Sequence, residues 1–327
     1  MSRTFSMVAV LAAAALMASM AWAAAPAPAT TPPAGGAQAT PGPGNVGPGV
    51  PGGRAGRGAR GGGGGAGRGG GSILDQVRIQ GNGVDDKSWV AHQHLLTKAK
   101  IGKGKIDVYV EGDSIMRRWG CDAEVEPNYA KSYAVWKDTF WGYNAGDFAW
   151  GADTIQNILW RLRNGELDDL NPKVTIFMGG TNNVNPNANV DDLTKGLTAC
   201  FEEIRKKAPD TTLVIIGILP RQPAGDIPVI DKINENISKL ADGKKTRFVD
   251  LKDKFYKDGA LIPGLLNAGD NLHPDPAGYQ VIGDALKPIL KEVLGAPAKE
   301  DHAPPPTWDP SARGAPTEYP KPAKAGN

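Results

Sequence analysis

The 327-residue sequence contains few cysteines and few histidines, which limits the kinds of site it can build. Its two cysteines, Cys121 and Cys200, can form at most one disulfide, and the sequence leaves open whether they pair. A site with two catalytic metal ions needs several His and Asp ligands. The chain has four histidines, and His92 and His94 are interpreted as surface or core residues of an early helix. The sequence therefore disfavours a metallophosphoesterase.

The chain also lacks a strong charge and a long apolar run. Its net charge is +2, and part of the positive charge lies in Gly-Arg repeats between residues 54 and 68, so no nucleic-acid partner is expected. The apolar run at residues 8–17 is shorter than the roughly 20 residues that span a bilayer. Because Arg3 precedes this run and Ala21-Trp22-Ala23 follows it, residues 1–23 are predicted to be a cleaved signal peptide of a secreted or periplasmic protein, with a membrane anchor as the alternative.

Two low-complexity segments flank one predicted domain. Residues 24–71 are rich in Ala, Pro, Gly and Arg and are predicted to be a disordered linker; as an alternative, their Arg/Gly part binds an anionic envelope polymer. Residues 296–327 are predicted to be a disordered Pro-rich tail. The globular domain is therefore expected at residues 72–295, which is long enough for a substantial core.

Strand and helix patterns alternate along this domain. Apolar, β-branched runs predict strands at 106–110, 174–178, 213–217 and 248–251, with another element near 144–146. Helical patterns lie between them, so we expect a parallel sheet with helices on both faces. The segment 129–143 is interpreted as a loop whose aromatic side chains either pack in the core, the preferred interpretation, or line a cleft for a sugar; they are Tyr129, Tyr133, Trp136, Phe140, Trp141 and Tyr143.

Residues with catalytic chemistry follow the predicted strands. Ser114 lies at a strand-to-helix turn, where a side chain faces the crevice of an α/β sheet and backbone N–H groups point at a ligand. The same Gly112-Asp113-Ser114 stretch also suits a plain capped helix start. Asp270 and His273 are three residues apart before the last helix, close enough for the carboxylate to orient the imidazole, although a capped helix start with an incidental His is again the alternative.

Four sequence blocks together resemble one family. Gly112-Asp113-Ser114, Gly151-Ala152-Asp153-Thr154, Gly180-Thr181-Asn182-Asn183 and Asp270-Asn271-Leu272-His273 occur in the order found in the SGNH (GDSL-like) hydrolases. Residues 153–167 are also similar to the catalytic subunits of platelet-activating-factor acetylhydrolase and to bacterial acetylesterase relatives. The resemblance implies a three-layer α/β/α, flavodoxin-like fold with about five parallel strands.

The resemblance also implies roles for residues. Ser114 would be the nucleophile, His273 the general base and Asp270 its orienting carboxylate, with no metal and no organic cofactor. The oxyanion hole would consist of the Ser114 N–H, the Ala152 N–H and the Asn182 side-chain amide. The supporting residues would be Gly112, Asp113, Gly151, Asp153, Gly180 and Thr181.

One residue departs from the family pattern. The family usually has Gly directly before the second-block Asp, whereas this chain has Ala152 there. A backbone N–H donates equally well from Ala, but Ala is strained if the turn requires a positive φ.

The expected function is that of an exported serine esterase that removes small acyl groups. The preferred substrate is an O-acetyl group on carbohydrate. The alternatives are a lysophospholipid or other lipid ester, and a non-catalytic envelope-binding module with the same fold.

Overall fold

The computed structural model describes residues 71–78, 104–124 and 127–306. The predicted signal peptide, the predicted linker up to residue 70, the segment with His92 and His94, and the tail from residue 307 lie outside the described residues. The interpretations of those segments remain predictions.

Five strands form one parallel sheet in the order β2-β1-β3-β4-β5. They are β1 (Val108–Gly112), β2 (Ala145–Asp147), β3 (Val174–Met178), β4 (Thr212–Ile216) and β5 (Thr246–Val249). Val110 of β1 pairs with Asp147 on one side and with Ile176 on the other. After β1 the chain therefore adds β2 on one side of it and then crosses to the other side to add β3, so the order of strand addition reverses at β1. Such a reversal leaves a crevice at the carboxyl ends of β1 and β3.

Helices cover both faces of this sheet. One face carries α3 (Ile155–Arg163), α4 (Val190–Lys207) and α5 (Ile227–Ser238), and the other carries α1 (Ser114–Trp119), α2 (Ala130–Phe140), α6 (Lys252–Phe255) and α7 (Pro276–Leu294). Successive strand residues point to opposite faces, so Tyr109 joins the first core while Val108 and Val110 join the second. The prediction of a three-layer α/β/α fold is confirmed.

Short elements complete the described chain. The strands β6 (Tyr256–Lys257) and β7 (Ala260–Leu261) form a small antiparallel pair before α7. Single 3₁₀ turns occur at Ile73–Gln76, Pro127–Tyr129, Thr181–Asn183 and Ala224–Asp226. In the described part of the chain, no helix combines the length and the apolar character that crossing a bilayer requires.

The aromatic segment 129–143 is mainly helix, so the interpretation of it as a loop was wrong. Residues 130–140 form α2, whose Trp136 and Phe140 lie one turn apart on its buried side. Both rings pack on Trp119 of α1, with centroid distances of 5.7 and 5.2 Å. Most of these rings therefore belong to the core, whereas Trp141 is 55% exposed. The i, i+4 spacing of Trp136 and Phe140 was the signal for a helix.

Residues 296–306 pack on the domain, which therefore extends beyond the predicted boundary at Gly295. The Ala298 N–H donates to the Gly142 carbonyl over 3.0 Å, and the Lys105 N–H donates to the His302 carbonyl over 2.7 Å. The Asp301 carboxylate accepts from the N–H groups of Gly142 and Asn144. Composition predicted disorder here because the segment has no large apolar residues, but backbone groups beside the edge strand β2 give it polar partners.

Cys121 and Cys200 are both buried thiols, and no disulfide joins them. Cys200 lies in α4 within the core on one face of the sheet. Cys121 follows α1, which packs on the opposite face. The sheet therefore separates the two sulfurs, and the sequence could not reveal this.

Candidate active site

Ser114 is the first residue of α1, directly after β1. The Asp113 carboxylate caps the helix by accepting from the Ile115 N–H over 3.0 Å. Gly112 is required before this turn, since a Cβ at that position would lie 2.1 Å from the Met178 carbonyl oxygen of the neighbouring β3. The Ser114 side chain is thereby held at the carboxyl edge of the sheet, with the start of α1 behind it.

Ser114, His273 and Asp270 form a continuous hydrogen-bonded line. The Ser114 Oγ lies 2.9 Å from His273 Nε2, and His273 Nδ1 lies 2.7 Å from Asp270 Oδ2. The other Asp270 oxygen accepts from the N–H groups of Leu272 and His273, each over 3.0 Å, which fixes the carboxylate on its loop. Partial burial raises the pKa of Asp270, but hydrogen bonds from His273 and Leu272 outweigh it and hold that pKa below its usual value. In this arrangement a carboxylate can orient an imidazole that receives the serine proton.

The second block lies beside the turn that carries Ser114. The Phe148 N–H donates to the Val110 carbonyl and the Trp150 N–H donates to the Gly112 carbonyl, so the chain after β2 runs along the end of β1. Ala152 on this segment is exposed and has a φ of +64°. The turn therefore does require a positive φ, the case in which Ala is strained.

Asn182 belongs to the third block, in the 3₁₀ turn after β3. Gly180 begins this turn at a φ of +105°, which glycine adopts readily. The Asn182 Nδ2 donates to the Asp153 carbonyl over 2.8 Å, so the second and third blocks are in direct contact. The next residue, Asn183, accepts from the Ile155 N–H and thereby ties the turn to the start of α3.

The Asp113 carboxyl is buried between the first and third blocks. Burial raises the pKa of Asp113 to about 6, although the N–H groups of Ile115, Thr181 and Gly180 and the charge of Arg221 oppose that rise. The predicted supporting residues Gly112 and Asp113 therefore lie directly beside Gly180 and Thr181, which belong to the turn after β3.

A buried charged cluster lies behind the second block, and of its members only Asp153 was predicted to have a supporting role. Arg161 of α3 contacts the carboxylates of Glu111, Asp153 and Glu166, and all four residues are buried. The available signal was Arg161 itself, because it lies on the helix face that the apolar residues Ile158 and Leu162 define. A charged residue at an apolar position is rarely buried without partners.

Arg118 lies one turn after Ser114 and close to the Asp270 carboxylate. Its Nη1 is 3.8 Å from Asp270 Oδ2, and its guanidinium lies 5.5 Å from the centre of the Tyr129 ring.

The described residues contain no group of three or more His, Cys, Asp or Glu side chains arranged to hold a metal ion.

Known proteins resemble this chain over most of the fold. The sequence model of the GDSL-like Lipase/Acylhydrolase family matches residues 110–281. Subunit alpha1 of platelet-activating factor acetylhydrolase IB from Bos taurus is 30% identical over 249 residues, which make up 75% of this chain and 93% of the relative. The Rattus norvegicus alpha1 subunit is 32% identical over 221 residues, or 66% and 86% of the two chains. The solved structure of TesA is 20% identical over 57% of this chain and 99% of its own, with a TM-score of 0.43. The chain therefore belongs to the GDSL-like lipase/acylhydrolase family of ester hydrolases.

Proposed function

We propose that this esterase works through Ser114 as nucleophile, His273 as general base and Asp270 as the carboxylate that orients it. The observation that carries the proposal is the hydrogen-bonded line from Ser114 Oγ through His273 to Asp270, with distances of 2.9 and 2.7 Å. A serine hydroxyl is a weak nucleophile at neutral pH, and an imidazole within hydrogen-bond distance activates it.

The reaction takes place in two stages. His273 Nε2 takes the Ser114 proton as Oγ attacks the ester carbonyl, and the protonated imidazole then gives that proton to the departing alkoxide. Asp270 fixes the ring orientation and stabilises the imidazolium. Water then attacks the acyl-serine by the same route and releases the carboxylic acid. Each stage returns His273 to its neutral form.

An oxyanion hole accounts for the stabilisation of the tetrahedral intermediate. The donors are the Ser114 N–H, the Ala152 N–H and the Asn182 amide, which come from three loops at one edge of the sheet. The contact of Asn182 with the Asp153 carbonyl supports this assignment, because it orients the amide beside the Ala152 turn. Losing one such donor typically raises the barrier by about 3–4 kcal/mol.

Hydrolysis of an acetyl aryl ester by the chain from Ser72 to Pro306 tests the proposal. Activity should survive a chelator, and Ser114→Ala and His273→Ala should each lower kcat by about 10⁴-fold or more. Asn182→Ala should lower kcat by about 10²–10³-fold with little change in KM. Undiminished activity in Ser114→Ala would refute the assignment of the nucleophile.

The substrate proposed is a small acyl ester, with O-acetyl on carbohydrate preferred and a lysophospholipid or other lipid ester as the second candidate. The names of the curated relatives, subunits of platelet-activating factor acetylhydrolase IB, support the acetyl group. Comparing kcat/KM for acetylated oligosaccharides, acetyl glycerophospholipids and a long-chain aryl ester distinguishes these cases. Faster turnover of the long-chain ester would refute the preference for small acyl groups.

We also propose that the protein is exported after cleavage near Ala23, since residues 1–23 have the pattern of a signal peptide. Sequencing the amino terminus of the mature protein tests this, and a retained Met1 would contradict it. The Arg/Gly segment is proposed to bind an anionic envelope polymer through charge. Equal retention of chains starting at Ala24 and at Ser72 on an immobilised acidic polysaccharide would refute that function.

A further inference from the structure

The guanidinium of Arg161 lies at the centre of a buried cluster that includes Glu111, Asp153 and Glu166, hereafter the Arg161 cluster. Its Nε lies 2.8 Å from Asp153 Oδ2 and its Nη2 lies 2.8 Å from Glu111 Oε1. Its Nη1 binds Glu166 and also donates to the Phe148 carbonyl over 3.0 Å. Arg161 itself is only 3% exposed, so it does not reach a substrate.

Two of these carboxylates lie beside the proposed oxyanion donors, one near the end of β1 and one on the loop after β2. Glu111 Oε1 also accepts from the Gly112 N–H over 2.8 Å, two residues before Ser114. Asp153 directly follows Ala152, and its carbonyl accepts from Asn182 Nδ2 over 2.8 Å. The Arg161 cluster therefore connects the turn before Ser114, the Ala152 turn and the Asn182 amide.

We propose that Arg161 is a positioning residue for the oxyanion hole: through Glu111 and Asp153 it fixes the Ala152 N–H and the Asn182 amide relative to Ser114. The inference rests on the proposed function, because it takes these three groups as the donors. A guanidinium suits this task, since its planar fork binds several carboxylates at fixed angles.

The backbone at Ala152 gives a reason why such a fixed support is needed. An Ala at a φ of +64° is strained, and a strained residue persists only where its surroundings hold it in place. The bond of Arg161 to Asp153 holds the residue after Ala152, and its bond to the Phe148 carbonyl holds the chain four residues before Ala152. The strained turn is therefore anchored on both sides by one side chain.

Stability alone does not explain the cluster. Burial raises the pKa values of Asp153 and Glu166, because their charged forms lose the solvation that water would give them. Buried ion pairs are often no more stabilising than apolar residues of similar volume. The Arg161 cluster instead gives the three loops a defined geometry.

A matched pair of isosteric variants tests this role. Asp153→Asn and Glu166→Gln each remove one carboxylate charge from the same cluster while keeping the shape of the side chain. Asp153 lies on the Ala152 loop, whereas Glu166 lies in the turn after α3 and outside the three donor loops. With the acetyl aryl ester, Asp153→Asn should lower kcat by about 10- to 100-fold with KM within about twofold. Glu166→Gln should change kcat by less than about threefold.

Binding of an aryl boronic acid gives a second readout that a purely structural role would leave unchanged. Its tetrahedral adduct on Ser114 places an oxygen in the hole, so its affinity should fall in Asp153→Asn by about the same factor as kcat/KM. Arg161→Lys, with one ammonium in place of the fork, should show the larger loss in both measurements. Thermal melting shows whether each variant folds. If Arg161→Lys does not fold, the comparison of Asp153→Asn with Glu166→Gln tests the proposal.

The outcomes separate the inference from the function. Ser114-dependent hydrolysis with equal kcat losses in Asp153→Asn and Glu166→Gln, or with a loss confined to KM, would overturn the positioning role and leave the esterase mechanism intact. Hydrolysis that does not depend on Ser114 would overturn both.

Discussion

At the scale of single residues, Ala152 combines a proposed role of its backbone N–H in the oxyanion hole with an unfavourable conformation, a φ of +64°. Replacing it with Gly removes the cost of a left-handed φ, about 1–2 kcal/mol, but increases the entropy of the unfolded chain. We expect Ala152→Gly to raise the free energy of unfolding by about 0.5–1 kcal/mol in urea titrations. The side chain is exposed, so the change removes no core packing.

Ala199, half-buried within α4, provides the matched control for this prediction. Ala199→Gly should lower the free energy of unfolding by about 1 kcal/mol, because Gly is the poorer residue inside a helix. Equal destabilisation by the two Gly substitutions would contradict the strain at Ala152.

The buried carboxyl of Asp113 predicts a dependence of stability on pH. Its pKa is raised from 3.8 to about 6, so between these values the folded protein binds a proton that the unfolded chain has released. The contribution of Asp113 to stability is therefore largest below about pH 4 and is lost as pH rises through about 6. Its size is on the order of 1–3 kcal/mol.

Urea unfolding of the parent protein and of Asp113→Asn at intervals from pH 4 to pH 7 measures this contribution. The difference in unfolding free energy between the two proteins should shift in favour of Asp113→Asn as pH rises, because Asn carries no charge to bury. A difference that stays constant over this range would contradict the raised pKa.

Most residues of the candidate site could be predicted from the sequence, but the buried charged cluster behind them could not. Ser114 and Asn182 follow strand ends and Asp270 and His273 precede the last helix, and the structure brings Ser114, Asp270 and His273 into one hydrogen-bonded line. The role of Arg161 could not be predicted, because its partners Glu111 and Glu166 are 50 and 5 residues away and meet it only in the folded chain.

At the scale of elements, the contact between α7 and α1 connects the helix that carries Ser114 with the helix that follows Asp270 and His273. The Tyr279 hydroxyl of α7 donates to the Ile115 carbonyl over 2.7 Å, and its ring stacks on Trp119 at 5.5 Å. Tyr279→Phe keeps the ring but removes a buried hydrogen bond, so unfolding free energy should fall by about 1–1.5 kcal/mol.

Tyr256→Phe is the matched control for that change, since the Tyr256 hydroxyl bonds the Gly259 carbonyl in an exposed position. Its effect should stay below about 0.5 kcal/mol in the same thermal or urea measurement. Similar losses in both variants would show that burial of the α7 contact is unimportant.

Alternation of strands and helices was predictable because each element has its own hydrophobic period. The helix α2 was missed because its aromatic composition was weighed as that of a loop, although Trp136 and Phe140 have helical spacing. Its packing on Trp119 is a tertiary effect that outweighs local preference.

At the scale of the whole molecule, residues 296–306 act as part of the domain. We expect a chain that ends at Gly295 to be less stable than one that ends at Pro306 by about 1–3 kcal/mol. The shorter chain lacks several hydrogen bonds, and this loss is partly offset because it no longer has to order the segment on folding. Thermal unfolding of the two chains measures the difference, and equal melting temperatures would contradict it.

A point substitution separates the contacts of this segment from its length. Asp301→Ala removes the acceptor of the Gly142 and Asn144 N–H groups, whereas Glu300→Ala changes a side chain that is 82% exposed. Only the first should reproduce part of the loss seen on truncation. Composition could not predict this docking, because it depends on backbone groups of the turn before β2, which the segment reaches only in the folded chain.

Ser114 and His273 are 159 residues apart in the chain. During synthesis at about 5–20 residues per second, the proposed nucleophile therefore precedes its proposed base by roughly 10–30 s. A ribosome-bound chain that ends before residue 273 contains Ser114 without the imidazole that we propose activates it. By the proposed mechanism, the order of residues along the polypeptide delays ester hydrolysis until His273 has been made.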